Sequence, residues 1–238
     1  MNTSLSLQRD AAVPADIAPR VRLSTIADDK AMLRTAAELT RDLNAPSPAI
    51  YWTDLLVSSA IGYGALAVAL SVESIGWAIV AGVVAVLALY RAGSFIHEVT
   101  HIRHTALPGF RLGWNIIAGV PLLVPSFMYE GVHNLHHART RYGTIDDPEY
   151  LPLASMKPWT LPVFILTSML APVALLVRYA VLTPLSLVIP DMRRVLIERY
   201  SSLSINPAFR RRMPEGAAAV QWRWLEAGCS VWAITLVA

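Results

Sequence analysis

All six histidines of the chain fall between positions 97 and 137. His97, His101 and His104 form one group; His133, His136 and His137 form the other. Six is an ordinary number for this length, so the clustering is the signal. Imidazole is a common ligand for transition metals, and residues at i, i+4 and i+7 lie on one helix face. The first group has that relation. The second sits at i, i+3 and i+4, on a helix that the pattern predicts from about Ser126 to Tyr142. Gly143 would end it, with Arg139 and Arg141 in its last turn. Two such helices with converging imidazoles offer five or six nitrogens. One structural zinc needs four ligands, so the surplus points to two metals. Iron, copper, nickel and zinc all suit imidazole, and ligand type alone does not choose among them. The lone cysteine, Cys229, excludes an internal disulfide and a thiolate site.

The elements that must position these groups are apolar. The chain is 55% hydrophobic and 16% charged, too apolar for an ordinary soluble domain. Leu55 to Val72 and Ser74 to Tyr90 carry no charge, and each is long enough to cross ~30 Å of hydrocarbon as a helix. Glu73, Ser74 and Gly76 leave only a tight turn between them. The expectation is an all-α integral membrane protein, a transmembrane helical hairpin with a cytosolic helical cap carrying the histidines. Arg91, Arg103 and Arg111 follow the second run, whereas the turn at the other end carries only Glu73. The positive-inside rule therefore places the N-terminus and both histidine groups in the cytoplasm, as for a multi-pass protein of a bacterial inner membrane.

Leu112 to Tyr129 is uncharged too, but a single crossing there would part the two histidine groups. Its Gly113, Gly119, Pro121 and Pro125 suit an interfacial or re-entrant path. Trp159 to Val177 is a third span candidate. A single crossing there would put Arg193, Arg194, Arg199, Arg210, Arg211 and Arg212 outside, so residues 159–190 are expected on or dipping into the cytoplasmic leaflet. Residues 1–50 read as a cytosolic arm with an amphipathic helix over Asp28 to Leu43. Met32, Ala36, Leu39 and Leu43 share one face of it. Residues 51–238 read as the membrane domain. Its last run, Ala227 to Ala238, has no polar flank, which predicts a domain incomplete at its C-terminus. A net charge of +3 without a run of like charge gives no nucleic-acid signal.

The sequences HEVTH at 97–101 and HNLHH at 133–137 follow a membrane hairpin. Together they resemble the first two histidine boxes of the membrane-bound fatty acid desaturase and hydroxylase superfamily. The stretch Gly143-Thr144-Ile145-Asp146-Asp147-Pro148-Glu149-Tyr150 is similar to the segment after the second box. The resemblance covers about residues 50–150; no histidine follows His137, so the family's third box has no counterpart within the chain. What it implies is a non-haem di-iron centre on His97, His101, His133, His136 and His137, with His104 as a further candidate. Glu98, Asp147 and Glu149 would orient the imidazole N–H groups.

Molecular oxygen would be the co-substrate and a lipid acyl chain in the membrane the substrate. An unactivated methylene has no acidic proton and no leaving group, so acid–base catalysis cannot start the reaction. Desaturation is the expected outcome and hydroxylation the alternative. Electrons would come from a separate donor, a ferredoxin or a cytochrome with its reductase, because the chain has no motif for a redox cofactor. Arginines on the cytosolic face would attract an acidic donor or anchor anionic lipid.

Three rival readings use the same residues. His97-Glu98-Val99-Thr100-His101 is also HExxH, the pattern of zinc metalloproteases with the glutamate as general base. Glu98 with His101 and Glu130 with His133 are Glu-x-x-His pairs, as in ferritin-like di-iron bundles. A membrane protein with a metal site and no enzymatic turnover is the third.

Overall fold

A computed structural model of the chain describes residues 26–41 and 45–238. It divides into two units, residues 1–45 and 46–238. In the first, helix α1 (Ile26–Leu39) matches the amphipathic helix expected there, and Met32, Leu33 and Leu39 are exposed on it. Leu43 and the expected arm over residues 1–25 lie outside the described residues.

The second unit consists of helices joined by turns and loops, with no strand among its described residues. Helices α2 (Pro48–Ser71) and α3 (Ile75–His101) form the hairpin. Pro48 opens α2 at a position whose N–H needs no partner. At 1.5 Å per residue the two helices run about 36 and 40 Å, enough to cross a bilayer. Only 17% of the most apolar stretch of each is buried inside the protein. Leu56, Ile61, Val68 and Leu70 on α2, and Ile79, Val83, Val86 and Leu87 on α3, are exposed. So large an apolar surface is suited to lipid rather than water. Together with a third helix of spanning length, Ala171–Val188, it makes the chain an all-α integral membrane protein.

The hairpin seam is tight. A Cβ on Gly62 would lie 2.7 Å from Leu89 Cγ, so the absence of a side chain there sets the approach of the helices. An Arg91–Asp54 ion pair crosses the same seam. Toward the histidine end of α3 the packing becomes aromatic. The Phe110 ring meets Tyr51 and Phe95 edge-on at 5.6 and 5.5 Å. Trp114 donates its indole N–H to the Ala92 carbonyl at 2.9 Å.

Residues 110–129 form no helix of spanning length. Helix α4 (Phe110–Trp114) runs into a wide π turn (Asn115–Gly119), and a 3-10 turn (Ser126–Met128) follows Pro125. The path doubles back. Asn115 donates from Nδ2 to Ser126 Oγ at 3.0 Å and accepts the Ser126 amide at 2.9 Å. The segment is thus folded back on itself, with Trp114, Asn115 and Phe127 buried and Leu112 and Ile116 exposed.

Two expected helices are redrawn. The run predicted over Trp159 to Val177 breaks at Leu170, just before Pro172, into α6 (Thr160–Met169) and α7 (Ala171–Val177). Helicity then continues through a π turn (Arg178–Leu182) and α8 (Thr183–Val188). Pro184 has no N–H to offer the carbonyl of Ala180, and the backbone widens in the turn before it. The stretch long and apolar enough to cross is therefore Ala171–Val188.

The helix predicted over Ser126 to Tyr142 is reduced to α5 (His133–His136), because Gly131 takes a left-handed conformation (φ 74°) just ahead of it. Gly143 is also left-handed (φ 69°), but it turns a loop rather than ending a long helix.

Helices α9 (Pro190–Tyr200) and α10 (Gly216–Val237) close the unit. A buried charge network ties them to the π turn. Arg178 donates to Glu226 at 2.7 Å and Ser201 Oγ at 2.8 Å, and Arg193 donates to the second Glu226 oxygen at 2.5 Å.

Candidate metal centre

His97 and His101 stand one turn apart at the end of α3, where Ile102 turns extended and stops the helix. His133 and His137 come from α5 and its C-terminal residue. One ring nitrogen from each of these four lies within 4.8 Å of all the others. The nearest pair is His133 Nε2 and His137 Nε2, 2.9 Å apart. His133 is buried and the other three are exposed.

Carboxylates set the second group. Glu149 Oε1 lies 2.9 Å from His133 Nδ1, and both Asp147 oxygens lie 3.0 Å from His136 Nδ1. A carboxylate can only accept, so each Nδ1 carries the proton and each Nε2 keeps a lone pair. Burial holds the His133 pKa below its ordinary value, although Glu149 pulls the other way. A neutral imidazole with a free Nε2 is what a metal requires.

Asp147 is fully buried. It also accepts the Gly143 amide at 2.8 Å and the Glu149 amide at 2.9 Å. Burial works to raise its pKa, but these two amides and His136 outweigh it and hold the group below the ordinary value.

The donor set fits one transition-metal ion. Four nitrogens within 4.8 Å of one another need only small side-chain shifts to converge on one ion, since metal–nitrogen distances of about 2.0–2.1 Å allow separations up to about 4.2 Å. His137 Nε2 and His133 Nε2, 2.9 Å apart, share a proton in the metal-free protein, and a metal ion would take its place.

Among the other expected site residues, His136 is near the cluster, its ring 5.5 Å from that of His137, but its nitrogens are not among the four. His104 lies past the end of α3, off the expected helical face. It contacts the Arg111 guanidinium, which with burial depresses its pKa. Glu98 contacts His97 Nδ1 at 3.2 Å and accepts from Tyr51 at 3.0 Å. Glu130, the acid of the second Glu-x-x-His pair, is in an ion pair with Arg111.

Two contributors escaped sequence reasoning. Tyr129 stacks on His133, its hydroxyl 2.8 Å from Nδ1 and 3.4 Å from Glu149 Oε2. Burial and the adjacent carboxylate raise its pKa, so it stays a neutral donor. Its place four residues before His133 is the signal that was available. Asn206 donates to the carbonyls of Ile145 and Asp147 at 2.8 and 2.9 Å, which fixes the loop carrying both carboxylates. Nothing in its own stretch of sequence marks it.

The chain is 44% identical over 216 residues to a ceramide hydroxylase of Caulobacter vibrioides (strain NA1000 / CB15N), an alignment covering 91% of this chain and 61% of that relative. It thus spans less than two thirds of the relative's length. No solved structure matches. The family model described as fatty acid desaturase matches residues 75–238, a span that takes in both histidine groups, their carboxylates and the last three helices. The chain belongs to the fatty acid desaturase family.

Proposed function

We propose that the full protein is a non-haem di-iron oxidoreductase that uses oxygen to oxidise the acyl part of a membrane lipid. The observation that carries this reading is the convergence of four imidazoles at the end of a membrane-length hairpin. His97, His101, His133 and His137 would hold iron, and His136, oriented by Asp147, is the next ligand in reach. When bound, iron with oxygen supplies the carbon–hydrogen oxidation that no acid–base group can begin.

The chain's own residues do the rest. Asp147 and Glu149 hold protons on Nδ1 and keep each Nε2 free. The exposed apolar faces of α2 and α3 let an acyl chain approach from the bilayer. The arginines after α3 favour the cytoplasmic side for the site, where a ferredoxin or cytochrome could deliver electrons.

Similarity to a ceramide hydroxylase weights the reading toward a ceramide substrate and an alcohol product. Desaturation is the second reading, favoured by the description of the family model. Both begin by removing hydrogen from a methylene. The outcome depends on whether oxygen returns to that carbon or a second hydrogen leaves its neighbour.

The test is to express the full-length protein in a host supplied with ceramide and to analyse total lipids by mass spectrometry under air and under nitrogen. A lipid that gains one oxygen atom only in air supports hydroxylation. One that loses two hydrogens only in air supports desaturation. Lipids unchanged in both gases, with stoichiometric zinc and peptide hydrolysis abolished by Glu98→Gln, would establish the protease reading instead.

A further inference from the structure

Val132 and Leu135, which flank and share the turn of His133, line one wall of a cavity of ≈ 360 Å³. Its other walls come from residues 209–214 and from Trp222 on α10. Four arginines line it, Arg141, Arg210, Arg211 and Arg212, and no acidic side chain does. Elsewhere in the second unit four arginines have carboxylate partners. Arg91 pairs with Asp54, Arg111 with Glu130, and Arg178 and Arg193 with Glu226. Among the described residues none of the four cavity arginines has a carboxylate partner.

Arg211 occupies the inner end. It donates to the carbonyls of Ser201 at 2.9 Å and Glu130 at 2.5 Å, and its guanidinium sits 4.2 Å from the Trp222 ring centre. These neutral partners fix the charge without cancelling it. Burial lowers its pKa to about 9, so it stays protonated at neutral pH. Arg210 donates to the nearby carbonyls of Pro207 and Phe209. Arg141 and Arg212 make no side-chain hydrogen bond among the described residues. Arg210 and Arg212 are exposed around a mostly apolar cavity that also holds the buried guanidinium of Arg211, a grouping of like charge that an anion complements. Guanidinium forks match phosphate oxygens in pairs, which a compact halide cannot exploit.

We propose that this cavity binds a phosphate ester, with the phosphate among Arg210, Arg211 and Arg212 and its organic part against Phe209, Trp222 and Leu135. The occupant is a phosphate-bearing lipid head group or a soluble phosphate compound. Because Val132 and Leu135 belong to the same short turn as His133 and His136, the bound ester braces that turn from outside the metal cluster. The inference is independent of the proposed oxidation, and its test reads binding alone.

The experiment follows thermal unfolding of the purified full-length protein in detergent, by tryptophan fluorescence, at constant ionic strength set with chloride. The probes are inorganic phosphate, dihexanoyl phosphatidate, and dihexanoylglycerol as the phosphate-free control. Phosphatidate raises the melting temperature in a saturable way and dihexanoylglycerol does not. In Arg210→Gln/Arg212→Gln the midpoint concentration rises on the order of tenfold or more, and Lys at both positions recovers part of it.

Stabilisation by phosphatidate without inorganic phosphate identifies a lipid head group. Equal stabilisation by both identifies a soluble phosphate compound. Arg141→Gln, on a separate loop of the same cavity, raises the midpoint in the same direction by a smaller factor and keeps the test readable should the double variant melt early by itself. No shift with either phosphate probe, or an unchanged midpoint in both arginine variants, overturns the proposal.

Discussion

His97 and His101 stand on a helix of 27 residues, whereas His133, His136 and His137 depend on a helix of 4. On α3 the i→i−4 ladder of a membrane-length helix fixes the separation and direction of the two imidazoles. They are exposed, and His97 has only a 3.2 Å contact from Glu98. A single turn cannot hold its shape by its own hydrogen bonds. The second group is held instead by polar clamps, Glu149 and Tyr129 on His133 and Asp147 on His136. The same ligand type is thus placed by backbone geometry in one half of the site and by carboxylates on a neighbouring loop in the other. Substitutions of acidic neighbours should therefore be severe in the second half and mild in the first.

The largest effect is expected from Asp147→Ala. It leaves the Gly143 and Glu149 amides and His136 Nδ1 without their acceptor in a fully buried position. Each unsatisfied buried donor costs about 1–3 kcal/mol, so the loss is on the order of several kcal/mol. Metal affinity falls by about 10–100-fold as His136 loses its orientation and the loop relaxes. Thermal unfolding and metal titration of the purified protein read both. An unchanged melting temperature would show that the clamp is dispensable and that α5 holds itself.

A matched pair of isosteric changes sharpens the contrast. Glu149→Gln takes the charged acceptor from His133 and lowers metal affinity by about tenfold. Glu98→Gln keeps its contact with Tyr51 and leaves affinity within about threefold, because the helix still orients His97. Equal losses from the two substitutions would erase the distinction between the halves.

A smaller effect is expected from pH. The folded protein holds the His133 pKa below the ordinary 6.5, so the unfolded chain takes up a proton that the folded one refuses. That contribution to stability is present above pH 6.5 and is lost as pH falls below it. Asp147, depressed from 3.8, adds a second decline as pH drops through that value. Melting temperatures of chelator-treated protein should therefore step down twice on acidification. In Asp147→Asn the lower step disappears and the upper one remains. A melting temperature flat between pH 7 and 5 would remove His133 from this account.

What the sequence made legible follows from the range over which each signal acts. Uninterrupted apolar runs report the hairpin, and i, i+4 spacing reports His97 and His101, because both are local consequences of helix geometry. Leu112 to Tyr129 holds no helix of spanning length, and its Gly113, Gly119, Pro121 and Pro125 were the local signal of that break. The short α5 was missed because the same spacing arises when one turn is clamped from outside, and the clamping carboxylates are 11 to 16 residues away. Asn206 lies 59 residues from the Asp147 carbonyl it holds, and no local pattern carries that information. The break at Leu170 was visible in Pro172, but the apolar composition on either side masked it.

The smallest expected effect comes from His104, and it tests where the first group ends. His104 shares the i, i+7 relation with His97, yet α3 stops at His101 and Ile102 turns extended. The Arg111 guanidinium reaches His104 Nε2, the nitrogen that a metal would need. Arg111 in turn is held by Glu130. Moving His104 into the cluster would require another turn of α3 and the release of that contact. His104→Ala should therefore leave the metal content of the purified protein unchanged and its melting temperature within experimental error, whereas His101→Ala should remove the metal. Metal analysis of the two variants side by side decides the point. Equal loss in both would mean that the first group supplies three ligands and that the end of α3 rewinds when metal binds.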